Sequence, residues 1–434
     1  AGKGKKATDL AYDAREHGLC MNCHKGRPRG RTGLTAGALL QTGCLSCHEG
    51  PKPETYQTFR QVLEVKNGYA RNYLLPQGLA VEPTEANLRT IEAEKQTYLA
   101  EQAEELGVEI FPGMSCSELV YHEDGSVKGV VAGEFGRQAD GSEGPGYEPG
   151  MELHGKYVFL GEGVRGSLSK QVIEKFALDG DSDVQKYGLG MKEIWEIDPA
   201  KHSEGRVVHT MGWPLGKNAG GGSFIYHLDN NQVYVGFVVH LGYENPHVFP
   251  YMEFQRFKHH PYVADLLKGG KRVAYGARAI TEGGWQSLPK TAFPGGALLG
   301  CAAGMVNVPR IKGNHNAMLS GKAAAEAAHA ALGAGRSADT LADYDSAVRE
   351  GPIGADLKRV RNVKPLWSKY GLSASMGLGG FDMWMSNLTG WNPLGTLKHG
   401  KTDAAATGEA KDHKPIDYPR PDGKLSFDRL TNVS

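Results

Sequence analysis

The stretch 288–321, LPKTAFPGGALLGCAAGMVNVPRIKGNHNAMLSG, decides how the rest of the chain is read. Pro294, Gly295 and Gly296 open it, and the short apolar run Ala297-Leu298-Leu299 predicts a buried strand. That strand ends in Gly300-Cys301-Ala302-Ala303-Gly304, whose small side chains let a ligand approach the backbone. A loop with Pro309, Lys312 and Gly313 leads to Asn314, where an Ala-rich helix begins and runs to about Leu332, with Gly333 as its stop. Strand, glycine turn and helix start bring free amide N–H groups and a positive dipole end to one corner. Such a corner suits a phosphate or an anionic flavin edge, and the same pattern also describes an ordinary strand–helix junction.

A second corner lies upstream. Residues 156–160 (KYVFL) predict a strand that enters Gly161-Glu162-Gly163-Val164-Arg165-Gly166, and a helix over 167–176 follows. This satisfies G-x-G-x-x-G in strand–turn–helix context, the setting in which the fingerprint carries meaning. Further back, a helix is expected over 84–106 and a short strand over 108–111. A hairpin around Asp124-Gly125 and a glycine-rich loop over 135–150 complete that region. Between the two corners the pattern turns to period two, predicting strands at 190–197, 206–212, 222–228 and 233–240, helices at 251–259 and 263–268, and a strand at 272–280. Gly220-Gly221-Gly222 precedes the third of these strands and offers bare backbone to a flat ring.

The first fifty residues differ in kind. Four of the six cysteines form Cys20/Cys23 and Cys44/Cys47, each pair followed by a histidine, His24 and His48. Cys-x-x-Cys-His attaches c-type haem, whereas C-x2-C-x20-C-x2-C equally fits a four-thiolate zinc site. Cys116 and Cys301 stand alone and are expected to be small apolar packers. Lys plus Arg equals Asp plus Glu at 49 each, so no net field draws the chain toward nucleic acid. No run reaches the roughly 18 apolar residues of a membrane span. Residues 371–394 nevertheless gather Met376, Phe381, Trp384, Leu388 and Trp391 among glycines, which fits an element lying in a membrane interface or a core helix.

Together these segments resemble electron transfer flavoprotein–ubiquinone oxidoreductases over about residues 98–433. The motifs include YEPGMELHGKYVFLGEGVRGSLSKQ, GGSFIYHL, EFQRFKHHP, SLPKTAFPGGALLGCAAG, NVPRIKGNHNAM and IDYPRPDGKLSFD. The geranylgeranyl reductase-like flavoproteins share the general motifs without that last segment. The resemblance implies a mixed α/β and α+β, FAD-linked oxidoreductase fold with an antiparallel quinone domain and a helical, membrane-surface region. It implies an electron-transferring-flavoprotein dehydrogenase that passes electrons from electron transfer flavoprotein through FAD to ubiquinone. By the same resemblance, Glu162, Gly163, Arg165, Gly300, Cys301, Ala302, Gly304, Lys312, Gly313 and Asn314 would face FAD. Gly221, Gly222, Phe293, Leu298 and Met305 would face the quinone. The implied location is the cytoplasmic face of a bacterial inner membrane, or the matrix side of the mitochondrial one. The family's amino-terminal G-x-G-x-x-G strand and the cysteines of its [4Fe–4S] cluster have no counterpart in this sequence. The expected organisation is a Cys/His-rich segment (1–55), a linker and helix (56–97), a cofactor portion (98–187 and 272–335), a quinone sheet (188–271) and an interfacial region with a surface tail (336–434).

Overall fold

The computed structural model describes residues 35–40, 61–65, 80–81, 100–138, 140–216 and 219–430. The two Cys-x-x-Cys-His motifs, with Cys20, Cys23, His24, Cys44, Cys47 and His48, lie outside them, as do residues 84–99 of the expected helix. Strands β1 (Thr35–Leu40), β2 (Gln61–Val65) and β3 (Ala80–Val81) form a small antiparallel sheet in the order β2-β1-β3.

The main body has two cores. The first is built on β9 (Val158–Leu160) and β16 (Gly296–Leu298), which pair in parallel with Leu160 opposite Leu298. Helix α1 (Ser167–Lys175) follows β9, and the long helix α4 (Asn314–Gly333) follows β16 after a 3₁₀ turn at Gly300–Ala302. Leu160, Leu168, Val172, Phe293, Leu298, Met305 and Ala331 are buried together here, as the apolar runs require. Helices α5 (Ala342–Glu350) and α6 (Pro352–Val360) close this core with Tyr344 and Leu357, and the Tyr344 hydroxyl donates to the Leu298 carbonyl at 2.8 Å.

The second core lies beneath a five-stranded antiparallel sheet in the order β11-β12-β13-β10-β14. Its members are β10 (Tyr187–Glu196), β11 (Val207–Met211), β12 (Gly221–His227), β13 (Gln232–His240) and β14 (Lys271–Thr281). Alternation in β12 is clean: Gly221, Ser223, Ile225 and His227 point inward and are buried. Helices α2 (Pro250–Lys258) and α3 (Pro261–Leu267) cover that face, and Phe257 stacks on Phe237 with ring centroids 5.2 Å apart. Lys258 is also sealed inside, its Nζ 2.9 Å from Glu193 Oε2.

Several expectations need correction. Residues 108–111 are not a strand; among the described residues none pairs with them in a ladder, and Val108, Ile110 and Phe111 remain exposed. The region expected as a glycine-rich loop holds a hairpin, β6 (Phe135–Arg137) with β7 (Glu143–Glu148), and β8 (Met151–His154) then pairs with β5 (Val127–Ala132). Strand β14, grouped by sequence with the cofactor portion, is an edge of the five-stranded sheet and pairs with β10 along its length.

The helix α7 spans Val363–Thr389 with a break at Gly371 (φ 70°, ψ −173°). Beyond the break Met376, Phe381, Trp384, Leu388 and Trp391 are exposed. Its other side is pinned by buried Asp382, which accepts from Asn362 Nδ2 at 3.0 Å and Asn392 Nδ2 at 2.9 Å. Among the described residues no helix is long and apolar enough to cross a membrane. The polar tail then lies back over the sheet domain, where the Phe427 N–H donates to Gln255 Oε1 at 3.0 Å.

Candidate functional site

Because β9 and β16 are adjacent and parallel, the turns that follow them leave the same edge of the sheet. Ligands of α/β folds bind at that edge, outside the carboxyl ends of the strands. The two glycine corners therefore meet, and β14 supplies the residue between them. A β-carbon on Gly163 would lie 3.5 Å from Arg278 Nη2, and one on Gly313 would lie 3.5 Å from Cys301 Sγ. Burial pushes the Cys301 thiol pKa up, opposed by the Arg278 charge, which places the guanidinium within reach of both corners. Helix α4 starts at Gly313 without a side-chain cap, so its first N–H groups are unclaimed by side chains. Gly163, Arg165, Cys301, Lys312, Gly313 and Asn314 all keep some exposure at this corner.

Other residues assigned to the cofactor are committed elsewhere. Glu162 accepts from the N–H groups of Leu168 at 3.2 Å and Ser169 at 2.6 Å, so its carboxylate caps α1. The Gly300 N–H donates to Ser320 Oγ at 3.0 Å. Gly304 is buried against Gln185, whose Nε2 would lie 2.5 Å from an added β-carbon, and Ala302 is half-buried. Cys116 is exposed rather than packed inside.

The quinone assignments divide more sharply. Phe293, Leu298 and Met305 are fully buried in the first core, and Phe293 stacks on Phe176 at 5.7 Å. They hold the fold and form no path from outside. Gly221 instead lines a cavity of about 1070 Å³ between the sheet and α7, together with Leu215, Gly220, His240, Trp367 and Tyr370. Gly222 is one residue further into β12, where an added β-carbon would lie 2.4 Å from the Thr210 carbonyl oxygen. The glycines leave the sheet backbone bare on one wall, and aromatic rings form the other. At the polar end His240 Nε2 lies 3.5 Å from Glu282 Oε1, and Lys364 donates to Glu282 Oε2. His240, Glu282 and Lys364 escaped the sequence reading, because three separate elements bring them together.

The family described as "ETF-QO, ubiquinone-binding" matches residues 187–280, which span β10 to β14. A second family, "Ribosomal protein L9, N-terminal domain", matches residues 60–91, within the segment read as linker and helix. Electron transfer flavoprotein-ubiquinone oxidoreductase of Pseudomonas aeruginosa is 51% identical over 338 residues, 77% of this chain and 61% of that protein. The mitochondrial protein of that name from Rattus norvegicus is 46% identical over 346 residues, covering 78% of this chain and 56% of its own length. The chain thus spans about three-fifths of the length of the relatives it matches. Among solved structures, a geranylgeranyl bacteriochlorophyll reductase-like protein from Thermoplasma acidophilum superposes with a TM-score of 0.52 at 15% identity, covering 76% of this chain and 72% of that one. That likeness establishes a shared fold, mixed α and β. Over more than three-quarters of its length the chain is a homologue of electron transfer flavoprotein–ubiquinone oxidoreductase, and residues 187–280 match that family's ubiquinone-binding domain.

Proposed function

We propose that this chain carries the flavin-side and quinone-side contacts of a flavoprotein:quinone oxidoreductase on a membrane surface, taking electrons from electron transfer flavoprotein and passing them through FAD to ubiquinone. The observation that carries the reading is the cavity itself. It joins bare backbone at Gly220 and Gly221 to Trp367 and Tyr370 on α7, whose continuation exposes an apolar face. A lipid-borne quinone needs such a route, with a flat slot for its ring and an oily approach for its tail.

The open corner fits the flavin side of FAD: an uncapped helix start and an arginine converge where negative charge would sit. FAD when bound would supply the electron relay between donor and quinone. The chain's own part is to orient and to exclude water. Arg278, Lys312 and the α4 N–H groups would hold negative charge, while the Cys301 thiol stays protonated and inert. Gly220 and Gly221 would let the quinone ring lie on the sheet backbone. The exposed residues of α7 would rest in the lipid interface on the cytoplasmic or matrix face.

Among the described residues no group of three or more His, Cys, Asp or Glu side chains is arranged to hold a metal. The test is a tryptophan-fluorescence titration of the purified chain with a short-tailed ubiquinone, alongside a flavin absorbance spectrum after incubation with FAD. Saturable quenching and retained flavin are expected. The absence of both would remove the proposal.

A further inference from the structure

The cavity ends in buried charge that transfer of electrons alone does not require. Glu282 follows β14, Lys364 sits in the first turn of α7, and His240 ends β13; all three side chains are at least 87% buried. His240 and Lys364 line the cavity, and Glu282 bridges them from behind. A second pair backs the first: Lys186 Nζ lies 2.6 Å from Asp403 Oδ1 and donates to the Lys401 carbonyl at 3.1 Å. His399 also faces this cluster and donates from Nε2 to the Gly283 carbonyl at 2.8 Å. Two cations thus meet two carboxylates. Burial, reinforced by Lys364 and Lys186 and opposed by Asp403, holds the His240 pKa well below its usual range. Burial likewise lowers the Lys364 pKa against the pull of Glu282. Dry ion pairs are costly to form and weak as stabilisers, so a clamp between α7 and the sheet gives little reason for them.

We propose that His240, Glu282 and Lys364 form a proton relay to the head group of a quinone bound in this cavity. The inference rests on the quinone reading above and deepens it. Reduction of a quinone to a quinol takes two electrons, here from a reduced flavin, and two protons. An O–H bond forms at each carbonyl oxygen. The neutral His240 ring donates its Nδ1 proton on the cavity side as Nε2 takes up a proton passed from the Lys364 ammonium through the Glu282 carboxylate, so the ring stays neutral throughout and returns to its first tautomer before the next transfer. Lys364 recovers its proton from water on the side of Asp403 and Lys186. A second pass supplies the second proton, and the cluster returns to its starting charge.

The test uses the full chain and an anionic quinone analogue, 2-hydroxy-1,4-naphthoquinone, titrated calorimetrically in two buffers of different ionisation enthalpy. The wild-type chain is expected to take up on the order of one proton per anion bound, whereas Glu282→Gln binds within about threefold and takes up essentially none. His240→Gln, expected to lose the uptake as well, serves if Glu282→Gln does not fold. In flavin-loaded protein, Glu282→Gln should slow quinone reduction at least about tenfold and leave reduction of a ferricenium salt, which needs no proton, unchanged. Undiminished proton uptake in both variants overturns the relay while leaving the quinone site intact. Failure of the wild-type chain to bind the analogue overturns the site and the relay together.

Discussion

A β-carbon placed on Gly220 would lie 2.3 Å from His240 Nδ1, closer than any real packing contact. The same β-carbon would come within 2.9 Å of Trp367 Nε1, and the His240 and Trp367 rings meet edge-on with centroids 4.9 Å apart. Both rings are half-buried against each other, so a methyl group at this position must displace one of them. Gly220→Ala should therefore weaken binding of a short-tailed ubiquinone by about tenfold, or ~1.4 kcal/mol. Fluorescence titration measures it. Unchanged affinity would mean that the head group does not lie between these rings.

Arg278 stands between the two glycine corners while belonging to the sheet of the other domain, beside Gly163 and within electrostatic reach of Cys301. It is exposed, so its removal should cost little stability. If it holds the negative charge of a flavin, Arg278→Met lowers FAD affinity by about tenfold and Arg278→Lys by less, since a lysine loses the planar fork. Equilibrium dialysis with FAD, paired with a melting curve, separates lost binding from lost fold.

How far the sequence could be read depended on distance along the chain. Both glycine corners were legible, because strand, turn and helix start each carry a local signature within about a dozen residues. Phe293, Leu298 and Met305 were misread for the converse reason. An apolar run says that it will be covered, and only the fold says that Phe176 and the helices after β16 cover it. The Glu162 carboxylate looked like a ligand group and turned out to cap its own helix, which a position five residues before that helix had not suggested. The polar floor of the cavity was invisible, since Lys364 and Glu282 are 82 residues apart. Residues 60–91 carry a likeness to a ribosomal family that composition alone did not disclose.

His227 offers a pH signature within the sheet domain. It is fully buried in β12, its Nδ1 accepts from the Ser203 N–H at 3.1 Å, and Nε2 has no hydrogen-bond partner. Burial, helped by the positive fields of His202 and Arg206, lowers its pKa from 6.5 to about 4. The unfolded chain therefore binds this proton first as pH falls. The stability due to neutral His227 is complete above pH 6.5, declines between 6.5 and about 4, and is gone below. After allowance for solvent screening, the expected loss across that window is about 1 to 2 kcal/mol. Denaturant curves for wild type and His227→Gln at pH 7 and pH 4.5 should converge at the lower pH. A gap that stays constant would show that His227 does not titrate in this window.

The exposed face of α7 makes the last prediction. Trp384 on α7 and Trp391 just beyond its end are each 60% exposed, and Phe381 and Leu388 on the helix are exposed too, so water meets several large apolar side chains within one short stretch of chain. If this stretch lies in a membrane interface, as such an apolar surface would suit, its tryptophans should carry the binding. The break at Gly371 (φ 70°) turns the chain between Tyr370, which lines the cavity, and this face, so the face and the cavity share one helix. Replacing both tryptophans, Trp384→Glu with Trp391→Glu, should reduce sedimentation with phospholipid vesicles by at least about tenfold, because two large apolar groups leave the interface and two charges enter it. Folding stability should change by less than about 0.5 kcal/mol, since neither side chain is part of a core. Affinity for a water-soluble, short-tailed quinone should also survive, whereas reduction of a long-tailed quinone supplied in vesicles should fall with the membrane binding. If vesicle binding persists in the double variant, α7 does not provide the anchor and the cavity mouth must open away from the lipid.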